Sequence, residues 1–307
     1  MAKKIVAVAG ATGSLGLKIV KAVMETGAQV RALVRSSSNR AALEALGVTD
    51  FAVGDMLDPV SLREALSIGP RADAIVASAA GYTRHTKGDS PETDTIGYRN
   101  LVDAAREAGI AKFVLISILE SDRAASVPHF HHKYLVEQYL KEKEQPFISL
   151  RAGAFLDQTQ DRVLAGVKSG VFPALFVGVA LGMIYTPDLA RYAALAAVSL
   201  PAAASGTIVD VGWETPATGE NLASAFSKVL ERPVAVRPAF PPFMTNVMLP
   251  FMGLFVPFAK DMSAMMKWIK TGNYVSRNPG RQKELFGDLP SIEEAVRRYC
   301  RDRGLIE

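Results

Sequence analysis

The chain reads as an α/β protein, a doubly wound parallel sheet of the Rossmann type followed by a smaller, mixed carboxyl-terminal lobe. Three observations predict it. Up to about residue 150, short and almost wholly apolar β-rich runs alternate with segments of helical period. The first of these runs passes through a glycine-rich turn directly into a helix. After Arg151 the alternation fades into less regular segments with no repeat and no low-complexity linker. The expected division is therefore 1–153 for the sheet domain and 154–307 for a lobe packed on it, with strands free to exchange between the two.

The strands are predicted at Lys4–Ala9, Gln29–Val34, Asp50–Val53, Ala74–Ala77, Lys112–Ile116 and Phe147–Leu150. Their apolar cores suit burial on both faces of a parallel sheet. Between them, helical period covers Leu15–Glu25, Arg40–Leu46, Pro59–Leu66, Thr95–Ala108 and Pro128–Lys143. Asp58 before Pro59 is a capping residue followed by a first-turn proline. Gly27 and Gly109 stand where helices end. In the second half, helices are predicted at Ala190–Leu200, Gly219–Leu230, Asp261–Thr271 and Ser291–Arg303. Short strands are predicted at Thr207–Val211 and Pro233–Val236.

Composition bounds the function. The chain has 307 residues, 49% of them hydrophobic and 21% charged, which excludes a mostly disordered chain. Lys and Arg total 35 against 31 Asp and Glu, and an excess of +4 gives no footprint for nucleic acid. The lone cysteine, Cys300, excludes an internal disulfide framework and a multi-cysteine zinc site. Met1-Ala2-Lys3-Lys4 is followed by only a short apolar run, so a cytoplasmic, reducing location is expected. Against this stands Pro238–Ala259, 22 residues without one Asp, Glu, Lys, Arg or His. Its length suffices to span a bilayer. Five prolines interrupt it (Pro238, Pro241, Pro242, Pro250 and Pro257), and repeated prolines break the hydrogen-bond ladder that a span needs. A pocket wall, a lid, an oligomer surface or a segment dipping into a membrane face fits better, so no transmembrane span is expected.

The turn after the first strand reads Gly10-Ala11-Thr12-Gly13-Ser14-Leu15-Gly16. Gly10 permits the tight turn, Gly13 lets backbone approach a pyrophosphate, and Gly16 allows close helix–strand packing. The N–H groups of Thr12, Gly13, Ser14 and Leu15 lie at the start of a helix, where phosphate is favoured. A dinucleotide is therefore expected. The end of the second strand selects it. A carboxylate there holds the ribose hydroxyl of NAD, whereas an arginine accommodates the extra phosphate of NADP. Here the strand ends Arg35-Ser36-Ser37, and no acid stands between Glu25 and Glu44, so the expected cofactor is NADP(H). After the fourth strand, the small residues Ser78 and Ala79 would let ribose and nicotinamide lie against backbone. Tyr82 and His85 follow in a polar loop placed to cover the site.

The pattern from Val8 to Gly16 resembles the opening of the atypical short-chain dehydrogenase/reductases, notably the NmrA-like group. Gly54-Asp55-Met56-Leu57-Asp58, the block from Tyr98 to Ser117, His132-Lys133 to Glu137 with Leu150-Arg151-Ala152-Gly153-Ala154-Phe155, and Tyr185 to Ala190 resemble further blocks of that family. Ala152 replaces the usual proline. The resemblance covers roughly the first 200 residues and implies that Asp55 and Met56 lie near adenine. It also implies that Lys133 holds the nicotinamide ribose. Relatives place a proton-relaying tyrosine four residues before this lysine, where this chain has His129. Ser117 or Ile118 falls at the family's serine. Because residues 129, 133 and 137 share one helical face, His129 can point where the tyrosine would. The histidines at 129, 131 and 132 are not read as a metal site, since no carboxylate lies close enough in sequence to complete one.

The second half is expected to carry the substrate. Phe155 should face the nicotinamide. Phe176 lies in a second charge-free stretch, Ser169–Pro187, and Met244, Met248 and Met252 recur every four residues. Together these suggest an apolar cleft, better suited to a hydrophobic acceptor than to a sugar nucleotide. Three functions follow, in order. The first is NADPH-dependent reduction of a small apolar quinone or carbonyl compound, with protons from water or from His129. The second is a non-catalytic NADP(H) sensor acting through a partner protein. The third, epimerase- or dehydratase-like chemistry, is disfavoured by the missing tyrosine. Peripheral membrane contact and a homo-oligomer both stay open.

Overall fold

A computed structural model describes residues 3–81, 91–157 and 161–307. In chain order the elements are β1 (Ile5–Ala9), α1 (Ser14–Glu25), β2 (Gln29–Val34), α2 (Ala41–Ala45), β3 (Asp50–Val53), α3 (Pro59–Ser67), β4 (Ala74–Ala77), α4 (Ile96–Glu107), β5 (Lys112–Ile118), α5 (Pro128–Glu142) and β6 (Phe147–Ala152). Then follow β7 (Ala154–Phe155), α6 (Arg162–Lys168), β8 (Val171–Ala174), β9 (Met183–Ile184), α7 (Thr186–Val198), β10 (Thr207–Val211), α8 (Gly219–Val229) and β11 (Ala235–Pro238). The chain ends with α9 (Leu249–Met252), α10 (Pro257–Lys270), α11 (Pro279–Phe286) and α12 (Ile292–Asp302).

A seven-stranded sheet runs in the order β10-β6-β5-β4-β1-β2-β3. The pairs β1–β2, β1–β4, β2–β3 and β4–β5 are all parallel. From β1 the chain winds outward through β2 and β3, then returns to β4 on the other side of β1. The order therefore reverses between β1 and β4, and this is the doubly wound Rossmann architecture.

Why these residues form these elements is plain locally. β1 and β4 are buried along their whole length, as their apolar runs require. Tyr98, Leu101, Val102 and Ala105 give α4 one apolar stripe, and all four are fully buried against the sheet residues Ile75, Ala77, Phe113 and Leu115. Each such large side chain contributes about 1.5–3 kcal/mol by leaving water. Asp58 caps α3 by accepting the Val60 and Ser61 N–H groups at 3.0 and 3.2 Å, with Pro59 in the first turn. Two lysines close the carboxyl end of α7. Lys4 donates to the Val198 carbonyl at 2.6 Å, and Lys112 donates to Ala196, Ala197 and Leu200.

The chain divides into two compact units. The first comprises 1–121, 129–151 and 187–209; the second comprises 122–128, 152–186 and 210–307. In the second unit β8 pairs in parallel with β11, and β7 with β9. Its aromatic core stacks Phe172 on Phe226 at 5.7 Å and sets Phe226 edge-on to Tyr299, also at 5.7 Å. Cys300 is fully buried beside them, and burial pushes its thiol up to about 11, which keeps it protonated.

The second half departs from the sequence reading in several places. α7 begins at Thr186, not Ala190, and α10 at Pro257, not Asp261. Both have a proline in the first turn, where its missing N–H costs nothing. β11 lies at Ala235–Pro238, shifted from Pro233–Val236 by its pairing with β8, a strand hidden in the sequence by Pro173. Within the charge-free stretch Ser169–Pro187, Phe172, Leu181 and Met183 are buried. The uncharged run folds as a π-helical turn at Met244–Met248, then α9 and the first turn of α10. Phe243, Val247, Met248, Phe251, Met252, Leu254, Phe255 and Val256 are exposed along it, whereas Phe240, Met244, Leu249 and Phe258 are half-buried. No helix among the described residues is long and apolar enough to cross a membrane.

Candidate functional site

The sheet's reversal point is where a site is built. The turn after β1 and the turn after β4 meet there. The Ser78 N–H and hydroxyl both donate to the Ala9 carbonyl, at 3.0 and 3.1 Å. Gly10 has φ +81°, and a Cβ on it would lie 2.7 Å from the Ala79 nitrogen. A Cβ on Gly16 would lie 2.0 Å from the Gly10 carbonyl oxygen, so α1 starts pressed against the turn. Gly13 is the N-cap of α1 and supplies no side-chain cap. The first-turn N–H groups are thus left to a ligand or water. Thr12 and Ser14 are exposed beside them, and Leu15 is half-buried.

Lys133 comes to the same place from α5. His129, Lys133 and Glu137 lie on one face of that helix, and all three are buried. The Lys133 ammonium donates to the Ala79 carbonyl at 3.2 Å and pairs with the Asp94 carboxylate at 3.0 Å. It also sits 3.9 Å from the centre of the Tyr98 ring. Asp94 accepts the Gly81 N–H at 2.8 Å, and the Tyr98 hydroxyl donates to the Ala79 carbonyl at 2.6 Å. Burial alone would lower the Lys133 pKa; Tyr98 and the Asp94 carboxylate outweigh it and hold the value above the ordinary one. The group is therefore a fixed cation at the sheet's reversal point. Sequence reasoning missed Asp94 and Tyr98, because their role follows from where α4 and the residues before it are carried. His129 packs edge-on to the Phe130 ring at 4.6 Å.

Ser117 goes elsewhere. Its hydroxyl donates to Glu137 Oε1 at 2.9 Å, as does Ser149 at 2.7 Å. Arg151 completes the set as a fork, with Nε to Oε1 at 3.0 Å and Nη2 to Oε2 at 2.6 Å. Glu137 is fully buried, so its charge is stabilised by these four hydrogen bonds. The network ties α5 to β5 and β6 and fixes the rotation that aims Lys133.

At the end of β2, residues 35–38 close a turn. The Arg35 N–H donates to the Ser38 hydroxyl at 3.0 Å, and the Ser38 N–H returns to the Arg35 carbonyl, also at 3.0 Å. Ser36 and Ser37 are exposed and Arg35 is half-buried. The Arg40 guanidinium lies over the Phe51 ring at 5.2 Å. Asp55, just past β3, accepts the Leu57 N–H at 2.9 Å, and the Met56 carbonyl is held by Asn100 at 2.8 Å.

The residues expected to touch substrate fall in the second unit or outside the description. Phe155 pairs with Ile184 in the small β7–β9 sheet. Lys270 lies 5.5 Å from the centre of the Phe176 ring and also donates to Asn246 at 2.7 Å. Phe176 and the turn that holds Met244 therefore lie on one side of α10. Tyr82 and His85 lie outside the described residues.

Comparison with known proteins places this geometry in a family. Quinone oxidoreductase 2 of Escherichia coli (strain K12) is 27% identical over 228 residues, 73% of this chain and 74% of that protein. The photosystem II assembly factor Ycf39 of Cyanophora paradoxa is 37% identical over 135 residues, which is 44% of this chain. The chain covers only 40% of that protein and 45% of the Synechocystis Ycf39. Among solved structures, the E. coli NADPH-dependent quinone oxidoreductase complexed with NADPH superimposes with a TM-score of 0.73 at 20% identity, over 96% of this chain and 99% of that one. The Citrobacter sp. triphenylmethane reductase complexed with NADP(H) gives 0.73 at 22% identity, over 95% and 99%. These likenesses establish the fold. The NmrA-like family profile matches residues 2–296, and the chain belongs to the NmrA-like family.

Proposed function

We propose that the chain binds NADP(H) at the reversal point of its sheet and reduces a small apolar quinone or carbonyl compound. The observation that carries this reading is the meeting of the Gly10 turn, the Ala79 carbonyl and the buried Lys133 ammonium in one place. The cradle fits a dinucleotide, since a Cβ at Gly10 or Gly16 would force apart the backbone that forms it and α1 begins without a side-chain cap. In this reading, the N–H groups of Thr12, Ser14 and Leu15 hold the pyrophosphate, and Gly13, whose own N–H donates to the Gly10 carbonyl at 3.0 Å, lets the backbone approach it. Arg35, Ser36 and Ser37 hold the ribose phosphate that distinguishes NADP. Asp55 and Met56 flank the adenine, Ser78 and Ala79 back the nicotinamide ribose, and Lys133 orients it. When bound, the reduced dinucleotide supplies a hydride. Lys133 holds positive charge beside the reacting ring, and His129, on the same face of α5, or water supplies the proton. The two-electron reduction of a quinone then takes one hydride and one proton and yields the hydroquinone. E. coli quinone oxidoreductase 2, matched over 73% of this chain, supports the acceptor class.

A second reading keeps the dinucleotide and drops the turnover, with the chain acting through a partner protein. The side chain four residues before Lys133 is His129, and Tyr98, whose ring centre lies 3.9 Å from the ammonium, commits its hydroxyl to Ala79. The Ycf39 relatives carry the name of assembly factors. One screen separates the readings. NADPH oxidation is followed with a panel of quinones and aromatic aldehydes. Turnover that falls at least tenfold in Lys133→Ala supports the reductase. Measurable NADP⁺ binding with no turnover on any acceptor supports the second reading.

A further inference from the structure

We propose that the surface formed by residues 238–270 docks on an anionic lipid bilayer, lying in its interface without crossing it. Two independent features of the second unit point there. The first is apolar exposure. Phe243, Phe251, Leu254 and Phe255 are 68%, 64%, 73% and 75% exposed, and Val247, Met248, Met252 and Val256 are exposed beside them. A chain that could bury these side chains would gain by doing so, and a contiguous exposed patch of this kind marks an interaction surface. The prolines at 241, 242, 250 and 257 cut the segment into a π-helical turn and short helical turns, so the phenyl rings project as separate knobs. Such a layout inserts shallowly at the level of lipid headgroups.

The second feature is charge. From Arg232 to Lys283 the only acidic residue is Asp261, and it is fully buried. The same stretch carries Arg232, Arg237, Lys260, Lys267 and Lys270, all exposed, while its remaining cations Arg277, Arg281 and Lys283 are ion-paired with Asp122, Glu284 and Asp288. Exposed Arg237 and Lys260 flank the uncharged run in sequence, and Arg162 and Lys270 reach it in space. The Arg162 guanidinium lies over the Phe240 ring at 4.8 Å. Lys270 reaches Asn246 at 2.7 Å, within the π-helical turn. The Lys260 backbone packs so closely on Gly253 that a Cβ there would lie 2.9 Å from the Lys260 Cα. Exposed cations beside exposed phenyl groups complement an anionic membrane surface. A second copy seated face to face would set these cations against their like, which is unfavourable.

The test uses the full chain and vesicles of phosphatidylcholine alone or mixed with phosphatidylglycerol. Flotation with the mixed vesicles is expected, falling as salt is raised. K260Q and K267Q should each weaken it about fivefold. F251S/F255S should abolish it while circular dichroism and thermal melting stay at wild type. As a check that needs no loss of the patch, F255W should shift its emission to the blue on mixed vesicles and be quenched by brominated lipid. The proposal is overturned if the folded chain does not float with mixed vesicles, or if F251S/F255S floats as the parent does. It is equally overturned by a dimer in sedimentation that F251S/F255S dissolves while no vesicle binding is found. That result would assign the patch to a second copy.

Discussion

Replacing Gly10 with alanine tests the cradle at its tightest point. The residue sits at φ +81°, a region that costs a residue with a Cβ roughly 1–2 kcal/mol. The new methyl would also lie 2.7 Å from the Ala79 nitrogen and 2.9 Å from its Cα, where ordinary contact begins at 3.4 Å. Both partners are backbone, so relief requires the two turns to part by about 0.7 Å. The same Ala79 carries the carbonyl that Lys133 and Tyr98 hold. Displacement on this scale spoils the alignment of several ligand contacts together, and a misplacement near 1 Å costs about a hundredfold in a positioned reaction. NADPH affinity, measured by fluorescence titration, should fall at least tenfold, with a loss of stability of about 1–3 kcal/mol in urea unfolding. Wild-type affinity in a variant of unchanged stability would refute the placement of the dinucleotide at this turn.

Three further predictions follow from the same geometry. Arg35→Ala should lower the preference for NADPH over NADH by roughly tenfold, as loss of a charge-assisted phosphate contact implies; competition binding with the two nucleotides checks it, and an unaltered ratio removes Arg35 from the site. Arg151→Met should leave Glu137 buried with two serine hydroxyls and cost about 3–5 kcal/mol in urea unfolding; a loss under about 1 kcal/mol would mean that the network does not anchor α5. Asp94→Asn removes a carboxylate that raises the Lys133 pKa, while burial, which lowers it, remains. In the parent, whose Lys133 pKa stands above 10.5, the cation's contribution is fully present below that value and is lost only as pH rises through it. In Asp94→Asn that loss should move to lower pH, so NADPH affinity should decline within the alkaline range where the parent stays level. Superimposable pH profiles would contradict the role given to Asp94.

The sheet was legible because burial on both faces leaves no choice of residue. Gln29–Val34, Asp50–Val53, Ala74–Ala77 and Thr207–Val211 form strands with the limits their apolar runs predict. The cap at Asp58 and the turn at Gly10 were equally legible, since each rests on chemistry within a few residues. The surroundings of Lys133 were not. Asp94 and Tyr98 reach it through the packing of α4 on the sheet, and no local pattern distinguishes a tyrosine lying over an ammonium from one in a core. Ser117 reads alike whether it faces a substrate or, as found, Glu137. In the second half, prolines disguised the start of α10 and the strand β8. The run Pro238–Ala259 announced its apolar character without its direction. Composition says that phenyl groups are present, and only the fold says that Phe243, Phe251 and Phe255 face outward.

The central claim is that a phosphorylated nicotinamide dinucleotide lies across the Gly10 turn with its nicotinamide ribose at Lys133. A crystal structure of the full chain grown with NADP⁺ tests it most directly. The pyrophosphate should lie on the first-turn N–H groups of α1, the ribose phosphate against Arg35, and the nicotinamide ribose within hydrogen-bond distance of the Lys133 ammonium. A dinucleotide held elsewhere, or a ribose turned away from Lys133, would contradict the account.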